Sequence, residues 1–302
     1  MMAKELARTG VFIPEVGIGT ASYHAGPSLL RKGLEAGALF IDTAESYETD
    51  HIVGEAVKGL RDRVFIATKV SPQNFRTRDF RRSVDASLKR LGTDFIDLLQ
   101  LHHPNSSIPI QETMGAMADL VAAGKVRYVG VSNFSVAQLQ AAQNALGNIA
   151  IVSNQVRYNI IDRTIEGGLL QYCQTNRITV IAYSPLAKGL DRIRDCDPAG
   201  IINTLARETG KSPAQIVLNW CLGKDAVVVI PASNSLEHLM ENCAASDWRL
   251  TEEQRHALDS RIQYRRRNRM DAILRGFMPH RLQDVARRTA KWLPRGLRRR
   301  LT

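Results

Sequence analysis

The sequence predicts an α/β fold, a closed (β/α)8 TIM barrel followed by a basic C-terminal helical extension. The first observation is periodic: short apolar segments at 16–20, 39–41, 64–68, 96–101, 126–131, 151–155, 179–183 and 227–230 are each followed by a helical pattern. Such alternation means a parallel sheet, because parallel neighbours need a helical crossover, and eight units in roughly 250 residues match a closed barrel. The second is that no G-x-G-x-x-G follows the first segment, which removes the usual warrant for an open doubly wound sheet. The third is that polar residues gather where the apolar segments end.

The elements follow in order. Val16-Gly17-Ile18-Gly19-Thr20 reads as a strand entering a glycine-permitted turn, followed by a helix over Ser28–Ala36. The short Leu39–Ile41 strand leads to a helix near His51–Leu60, and Val64–Lys69 is a buried strand with a lysine at its end. Arg78–Leu91 is amphipathic, with Phe80, Val84, Leu88 and Leu91 at helical spacing. Phe95–Leu101 ends at His102-His103-Pro104, and the helix Thr113–Ala123 is stopped by Gly124. Val126–Val131 ends at Ser132-Asn133, before a helix over Val136–Ala145. Ile151–Gln155 precedes helical pattern near Ile165–Thr175, and Ile178–Tyr183 ends at Ser184-Pro185-Leu186. Helices are expected over Ile201–Thr209 and Pro213–Leu222, the latter capped by Ser212 with Pro213 in its first position. Val227–Ile230 and Leu236–Ala245 complete the series, and Thr251 is placed to cap a last helix over Leu250–Ile262.

Composition divides the 302 residues into two parts, a barrel over 1–262 and an extension over 263–302. The formal charge of +11 lies wholly in the second part, which has 13 basic residues against Asp271 and Asp284, while the first balances 28 against 28. No apolar run approaches the ~18 residues of a membrane span, and Met1–Arg8 lacks the apolar centre of a signal peptide. Cys173, Cys196, Cys221 and Cys243 have neither metal-ligand spacing nor a disulfide framework, so reduced thiols and a cytoplasmic location are expected. No HExxH or Cys/His cluster calls for a metal.

In a barrel, polar residues at the C-terminal ends of strands face the active-site mouth. Here those ends carry Gly19-Thr20, Asp42, Lys69, His102, Ser132-Asn133, Gln155, Tyr183-Ser184 and Ser233. Asp42 by itself reads equally well as a turn cap or as the anchor of a polar site, since a buried carboxylate needs a cation or donors. The stretches Gly17-Ile18-Gly19-Thr20, Asp42-Thr43-Ala44 with Tyr47, Ala67-Thr68-Lys69, Asp97 to His102, Gly130 to Phe134, Asn154-Gln155 and Ala182 to Leu186 resemble the aldo-keto reductase superfamily, in order, over about residues 6 to 260.

The resemblance implies a barrel that reduces aldehyde and ketone carbonyls to alcohols with NAD(P)H. It also leaves an alternative, because the superfamily includes potassium-channel β-subunits: a nicotinamide-binding accessory subunit that docks to a membrane or partner through its basic tail. In the enzymatic reading Tyr47 is the proton donor, tuned by Lys69 and Asp42. A free phenol, with a pKa of about 10, holds its proton firmly, and an ammonium beside it lowers that value. His102 polarises the carbonyl; His103 is its neighbour and rival, and the superfamily pattern favours the first. Also by resemblance, Gly19 and Thr20 belong to the cofactor site, and Ser132, Asn133 and Gln155 hold the nicotinamide amide. Tyr183 stacks on the ring, Ser184 and Leu186 follow the pyrophosphate, and Ser233, Glu241 and Asn242 hold the adenosine end. NADPH is the expected cofactor. NADH stays open, because Ala232 and His238 stand where many members carry the Lys and Arg that clamp the 2′-phosphate.

Beyond Ile262, Leu282, Val285, Ala286, Thr289, Trp292 and Leu293 recur at helical spacing among arginines. A basic amphipathic helix with Trp reads as a membrane-surface element. Packing on the barrel or on another subunit, and a loosely ordered tail, remain alternatives. No nucleic-acid motif is present. The expected partner is a small carbonyl substrate, and the identity of that substrate and the oligomeric state are not readable.

Overall fold

The computed structural model describes residues 1–265, and its first unit runs from Met1 to Tyr264. The amphipathic stretch expected beyond Arg265 lies outside the described residues. The chain opens with an antiparallel hairpin absent from the eight-unit pattern, β1 (Ala3–Glu5) and β2 (Phe12–Pro14), with Lys4 opposite Ile13. The strands of the barrel then follow in chain order: β3 (Ile18–Gly19), β4 (Phe40–Asp42), β5 (Phe65–Val70), β6 (Ile96–Leu101), β7 (Val126–Ser132), β8 (Ile151–Arg157), β9 (Thr179–Tyr183) and β10 (Val227–Ile230). Every neighbouring pair is parallel.

Closure occurs between the last and first strands. Val16 bridges to Val229 in parallel, the Gly17 N–H donates to Val229 O at 2.8 Å, and the Gly19 N–H donates to Pro231 O at 3.1 Å. A Cβ on Gly19 would lie 2.7 Å from the Ile230 carbonyl oxygen, so the seam requires a residue without one. The eight-stranded (β/α)8 barrel is therefore formed.

Helices alternate with the strands: α1 (Pro27–Glu35), α2 (Asp50–Val57), α3 (Thr77–Leu91), α4 (Ile110–Ala122), α5 (Val136–Leu146), α6 (Leu169–Thr175), α7 (Leu190–Arg194), α8 (Ile201–Thr209), α9 (Pro213–Leu222), α10 (Leu236–Cys243) and α11 (Glu252–Arg261). α1 to α5 pack in succession, and α10 returns to α1. Their apolar faces, with Leu30, Val53, Val84 and Met117, cover the outward residues Ile41, Ile66, Leu99 and Val129 of the strands. Ser212 caps α9 and Thr251 caps α11, each in a reciprocal box with a Gln three residues on. α4 begins three residues before the expected Thr113, because Pro109 supplies the turn into it. The expected Ile165–Thr175 helix divides into a 3-10 turn over Thr164–Gly167 and α6, interrupted by Gly168 at φ 130°.

The barrel interior has two levels. Below, Phe40, Phe65, Ala67, Leu98, Val152, Ile181 and Val228 pack together, and Leu6 and Ile13 of the hairpin plug that end. Lys4 fastens the plug: its Nζ donates to the carbonyl oxygens of Leu222 at 2.6 Å and Val227 at 2.8 Å. Above the apolar level lie Asp42, Lys69, Gln100, Ser153 and Gln155, all buried. This polar level is the floor of the site.

Candidate active site

β4 and β5 are in register with Asp42 beside Ala67, so the last inward side chain of β4 meets Lys69, the next inward residue of β5. Lys69 Nζ donates to Asp42 Oδ1 at 2.5 Å and to the Thr43 carbonyl oxygen at 2.8 Å. The other carboxylate oxygen, Oδ2, accepts from Gln155 Nε2 at 2.7 Å and from Gln100 Nε2 at 3.3 Å. Both charged side chains are almost wholly enclosed. A buried ion pair holds only where its remaining hydrogen-bonding capacity is met, and here Gln100 of β6, Gln155 of β8 and the Thr43 carbonyl oxygen meet it. Burial, the largest influence, would lower the lysine's pKa, but Asp42 and Tyr47 together outweigh it and raise the value. Lys69 is therefore charged.

Tyr47 comes from a 3-10 turn over Glu45–Tyr47 immediately after β4. Glu45 holds that turn against the loop after β5, accepting from the Ser71 N–H at 2.6 Å and from Asn74 Nδ2 at 3.0 Å. The phenol oxygen lies 3.4 Å from His102 Nε2, with the two rings edge to face at 5.5 Å. Lys69 Nζ stands 4.9 Å from the centre of the tyrosine ring. The lysine pulls the phenol's pKa down, as the sequence suggests, but burial is the larger influence and the net direction is upward. The phenol thus keeps its proton, the state a proton donor requires.

His102 follows β6, where its N–H donates to Val70 O at 3.0 Å. Burial first, then the charge of Lys69 and the adjacent His103, push its pKa down to about 3. It is a neutral imidazole. His103 stacks on it at 5.0 Å but is exposed, so the histidine that meets the phenol is the first of the two.

The expected cofactor residues fall into two groups. Around β7 to β9 they bond to one another: Ser132 Oγ donates to Gln155 O, Asn133 Nδ2 donates to Ser132 Oγ and to His102 O, and the Tyr183 hydroxyl donates to Asn133 Oδ1 at 3.0 Å. Asn133 takes φ 63°, a left-handed turn that brings its amide back over the mouth. Beyond Tyr183, the loop has left-handed backbone at Ser184, Ala187, Lys188 and Gly189, with Leu186 among them, the kind of winding that turns N–H groups toward an anion. Ser233, in the loop after β10, bonds with Ser235, the cap of α10, on which Glu241 and the buried Asn242 lie. Ala232 and His238 are exposed.

Gly19 is part of the barrel seam, and Thr20 is fully buried, its hydroxyl engaged with the Asp42 carbonyl oxygen and Thr49 Oγ1. Thr20 therefore braces the wall beneath the mouth and does not present its hydroxyl there. Glu45 joins the site from outside the motif stretches, and Thr43 and Gln100, which lie inside them, take up bonds that the sequence does not assign them. Gln100 had a signal, since it occupies the inward phase of β6 two residues before His102. No group of three His, Cys, Asp or Glu among the described residues is placed to hold a metal.

A protonated phenol set between a neutral imidazole and a buried ammonium is suited to delivering a proton to a developing alkoxide, and this defines a reductase-type barrel. The aldo/keto reductase family profile matches residues 27–263. The chain belongs to the aldo/keto reductase family. It is 36% identical to the methylglyoxal reductase YeaE of Escherichia coli (strain K12) over 260 residues, covering 82% of this chain and 91% of that one. Among solved structures it resembles the thermostable aldo-keto reductase Tm1743, bound to epalrestat, with 40% identity and a TM-score of 0.80 over 86% of this chain and 99% of that one. It also resembles an aldo-keto reductase from Klebsiella pneumoniae in complex with NADPH, with 37% identity and a TM-score of 0.79 over 88% of this chain and 98% of that one.

Proposed function

We propose that this aldo/keto reductase reduces a small-molecule aldehyde or ketone at the mouth formed by β4 to β9, with Tyr47 as proton donor and NADPH as cofactor. The observation that carries the assignment is the Lys69–Asp42 pair at 2.5 Å beneath a phenol that meets a neutral His102 at 3.4 Å. The donor set fits a nicotinamide nucleotide: amide and hydroxyl groups at Ser132, Asn133 and Gln155, an aromatic face at Tyr183, and anion-accepting backbone at Ser184–Gly189. When bound, NADPH supplies hydride to the carbonyl carbon.

The chain's own residues supply the rest. Tyr47 gives its proton to the carbonyl oxygen as negative charge grows there. The charged Lys69 favours the phenolate that remains, so its stabilisation is larger after proton transfer than before it. Asp42 keeps Lys69 charged and fixed in direction. His102, neutral at every ordinary pH, donates a hydrogen bond toward the substrate oxygen without competing for the proton. Gln155 already gives its Nε2 to Asp42, so its Oε1 is the atom it offers to a bound amide.

Stopped-flow oxidation of enzyme-bound NADPH by a generic aldehyde tests the assignment. Tyr47→Phe is expected to slow the burst by about 10²–10⁴-fold, the usual contribution of a general acid, while NADPH still binds. An unchanged burst in Tyr47→Phe would refute the role. NADPH binding with no turnover in the unaltered chain would restore the accessory-subunit reading.

A further inference from the structure

β8 carries a residue that neither the tetrad nor the expected cofactor contacts use. Along this strand Val156 faces outward into the helix-packed core, so Gln155 and Arg157 share the inner face. The register agrees, since Gln155 pairs with Ile181 of the barrel interior and Arg157 with Tyr183. Arg157 is thus the last residue of the strand, one step above the amide that holds Asp42, beside the ring expected to face the nicotinamide.

Its surroundings leave it incomplete. Arg157 is half-buried, its Nε is buried with no hydrogen-bond partner, and no ion pair or hydrogen bond holds its guanidinium among the described residues. Buried polar groups are normally satisfied, and one that is not identifies a strain reservoir or a group waiting for a ligand. The charges around it favour the second. Lys69 is cancelled by Asp42, Tyr47 and His102 are neutral, and the guanidinium is the uncompensated charge on the inward strand ends. A planar guanidinium with free N–H groups pairs best with a carboxylate or phosphate, to which it can offer two parallel hydrogen bonds.

We propose that Arg157 is an oxyanion-binding residue of the catalytic mouth, pairing with a carboxylate or phosphate oxygen of the ligand bound there. The proposal rests on the reductase reading for the nature of that ligand, and two sources fit: a carboxylate on the carbonyl substrate, or a phosphate of the cofactor. In either case Arg157 fixes one end of the ligand while the tetrad acts at the other.

The test uses the full chain, unaltered and as Arg157→Gln and Arg157→Lys. The affinity for NADPH is measured by quenching of protein fluorescence. Affinities for benzaldehyde and 4-carboxybenzaldehyde are measured by calorimetry with saturating NADP+, which binds without turnover. Arg157→Gln is expected to weaken one anionic ligand by about tenfold or more, a charge-assisted contact of ~1.4 kcal/mol, and to leave benzaldehyde within twofold. Arg157→Lys, keeping the charge without the fork, should retain part of the affinity. A loss for 4-carboxybenzaldehyde assigns the anion to the substrate, and a loss for NADPH assigns it to the cofactor. Equal losses for charged and neutral aldehyde, or no loss for any ligand, would overturn the proposal. Should Arg157→Gln fail to fold, the salt dependence of 4-carboxybenzaldehyde and NADPH binding to the unaltered chain decides, and affinities that do not fall with ionic strength count against it. Because these are binding measurements, they stand even if the unaltered chain reduces neither aldehyde, a result that would count against the reductase assignment instead.

Discussion

Replacing Asp42 by Asn removes the charge that Lys69 faces while keeping the shape of the side chain. At 2.5 Å and an effective dielectric of about 20, the gross attraction of the pair is about 7 kcal/mol. Desolvation of two ions offsets most of that, so the pair itself is worth little, but removing one partner leaves the other ion's desolvation uncompensated. Breaking a buried pair in this way typically costs about 3–5 kcal/mol. Lys69 would then face only neutral acceptors and Tyr47, and burial, already the largest influence on its pKa, would dominate and push the value below 10.5. The pH dependence changes sign with it. In the unaltered chain the folded pKa is raised, so the lysine's contribution is present below pH 10.5 and fades as pH rises through the folded value. In Asp42→Asn the folded state binds the proton less firmly than the unfolded state, so stability climbs as pH rises toward 10.5. Urea unfolding at pH 7 and pH 9 measures both effects, and Asp42→Asn combined with Lys69→Met should recover most of the loss. A loss under about 1 kcal/mol, far below the range for a broken buried pair, or a double variant as unstable as Asp42→Asn alone, would refute the reasoning.

Two other perturbations follow from the geometry. Because His102 is pushed to about 3, its folded state takes up fewer protons than the unfolded chain between pH 6.5 and pH 3, and stability should fall as pH drops through that window. His102→Asn should flatten that part of a Tm-versus-pH curve, and kcat/KM of the unaltered enzyme should show no break near pH 6.5 from this residue; an unchanged slope in the variant would contradict the assignment. Gly130→Ala would place a Cβ 2.2 Å from Ser153 Oγ and 3.0 Å from Gln100 Cγ in the buried polar level, an overpacking expected to cost about 1–3 kcal/mol. Urea midpoints should show the cost relieved when Ser153→Gly is added, and no relief would mean the strain lies in the backbone.

The barrel was legible because each unit repeats the same grammar: an apolar strand, a polar end, and a helix with one apolar face. Asp42, Lys69 and His102 could be named because the C-terminal end of a strand is where a barrel gathers chemistry, and the resemblance then connected residues far apart in sequence. The hairpin was not legible, because β1 and β2 are three residues each and neither offers enough period to distinguish a strand from a turn. Nor was the ionisation of Tyr47. In the sequence Lys69 is the one influence on the phenol that can be read, yet burial, which depends on the folded mouth, outweighs it. Thr20 shows the same limit, since a residue at a strand end can brace the wall as readily as face the ligand, and only its bonds to Asp42 and Thr49 distinguish the two.

The register of the barrel explains why its chemistry is concentrated where it is. Parallel strands in staggered pairing place Asp42, Lys69, Gln100 and Gln155 at one height, so a single carboxylate receives donors from three other strands. That level is charge-neutral, and it lets a buried ammonium persist beneath the phenol without an excess of charge. Two residues further along β8, at the next inward position, Arg157 has no such counterpart. A mouth that balances its charge at one level and leaves a guanidinium unbalanced at the next is arranged for a ligand with a neutral reacting centre and an anionic end.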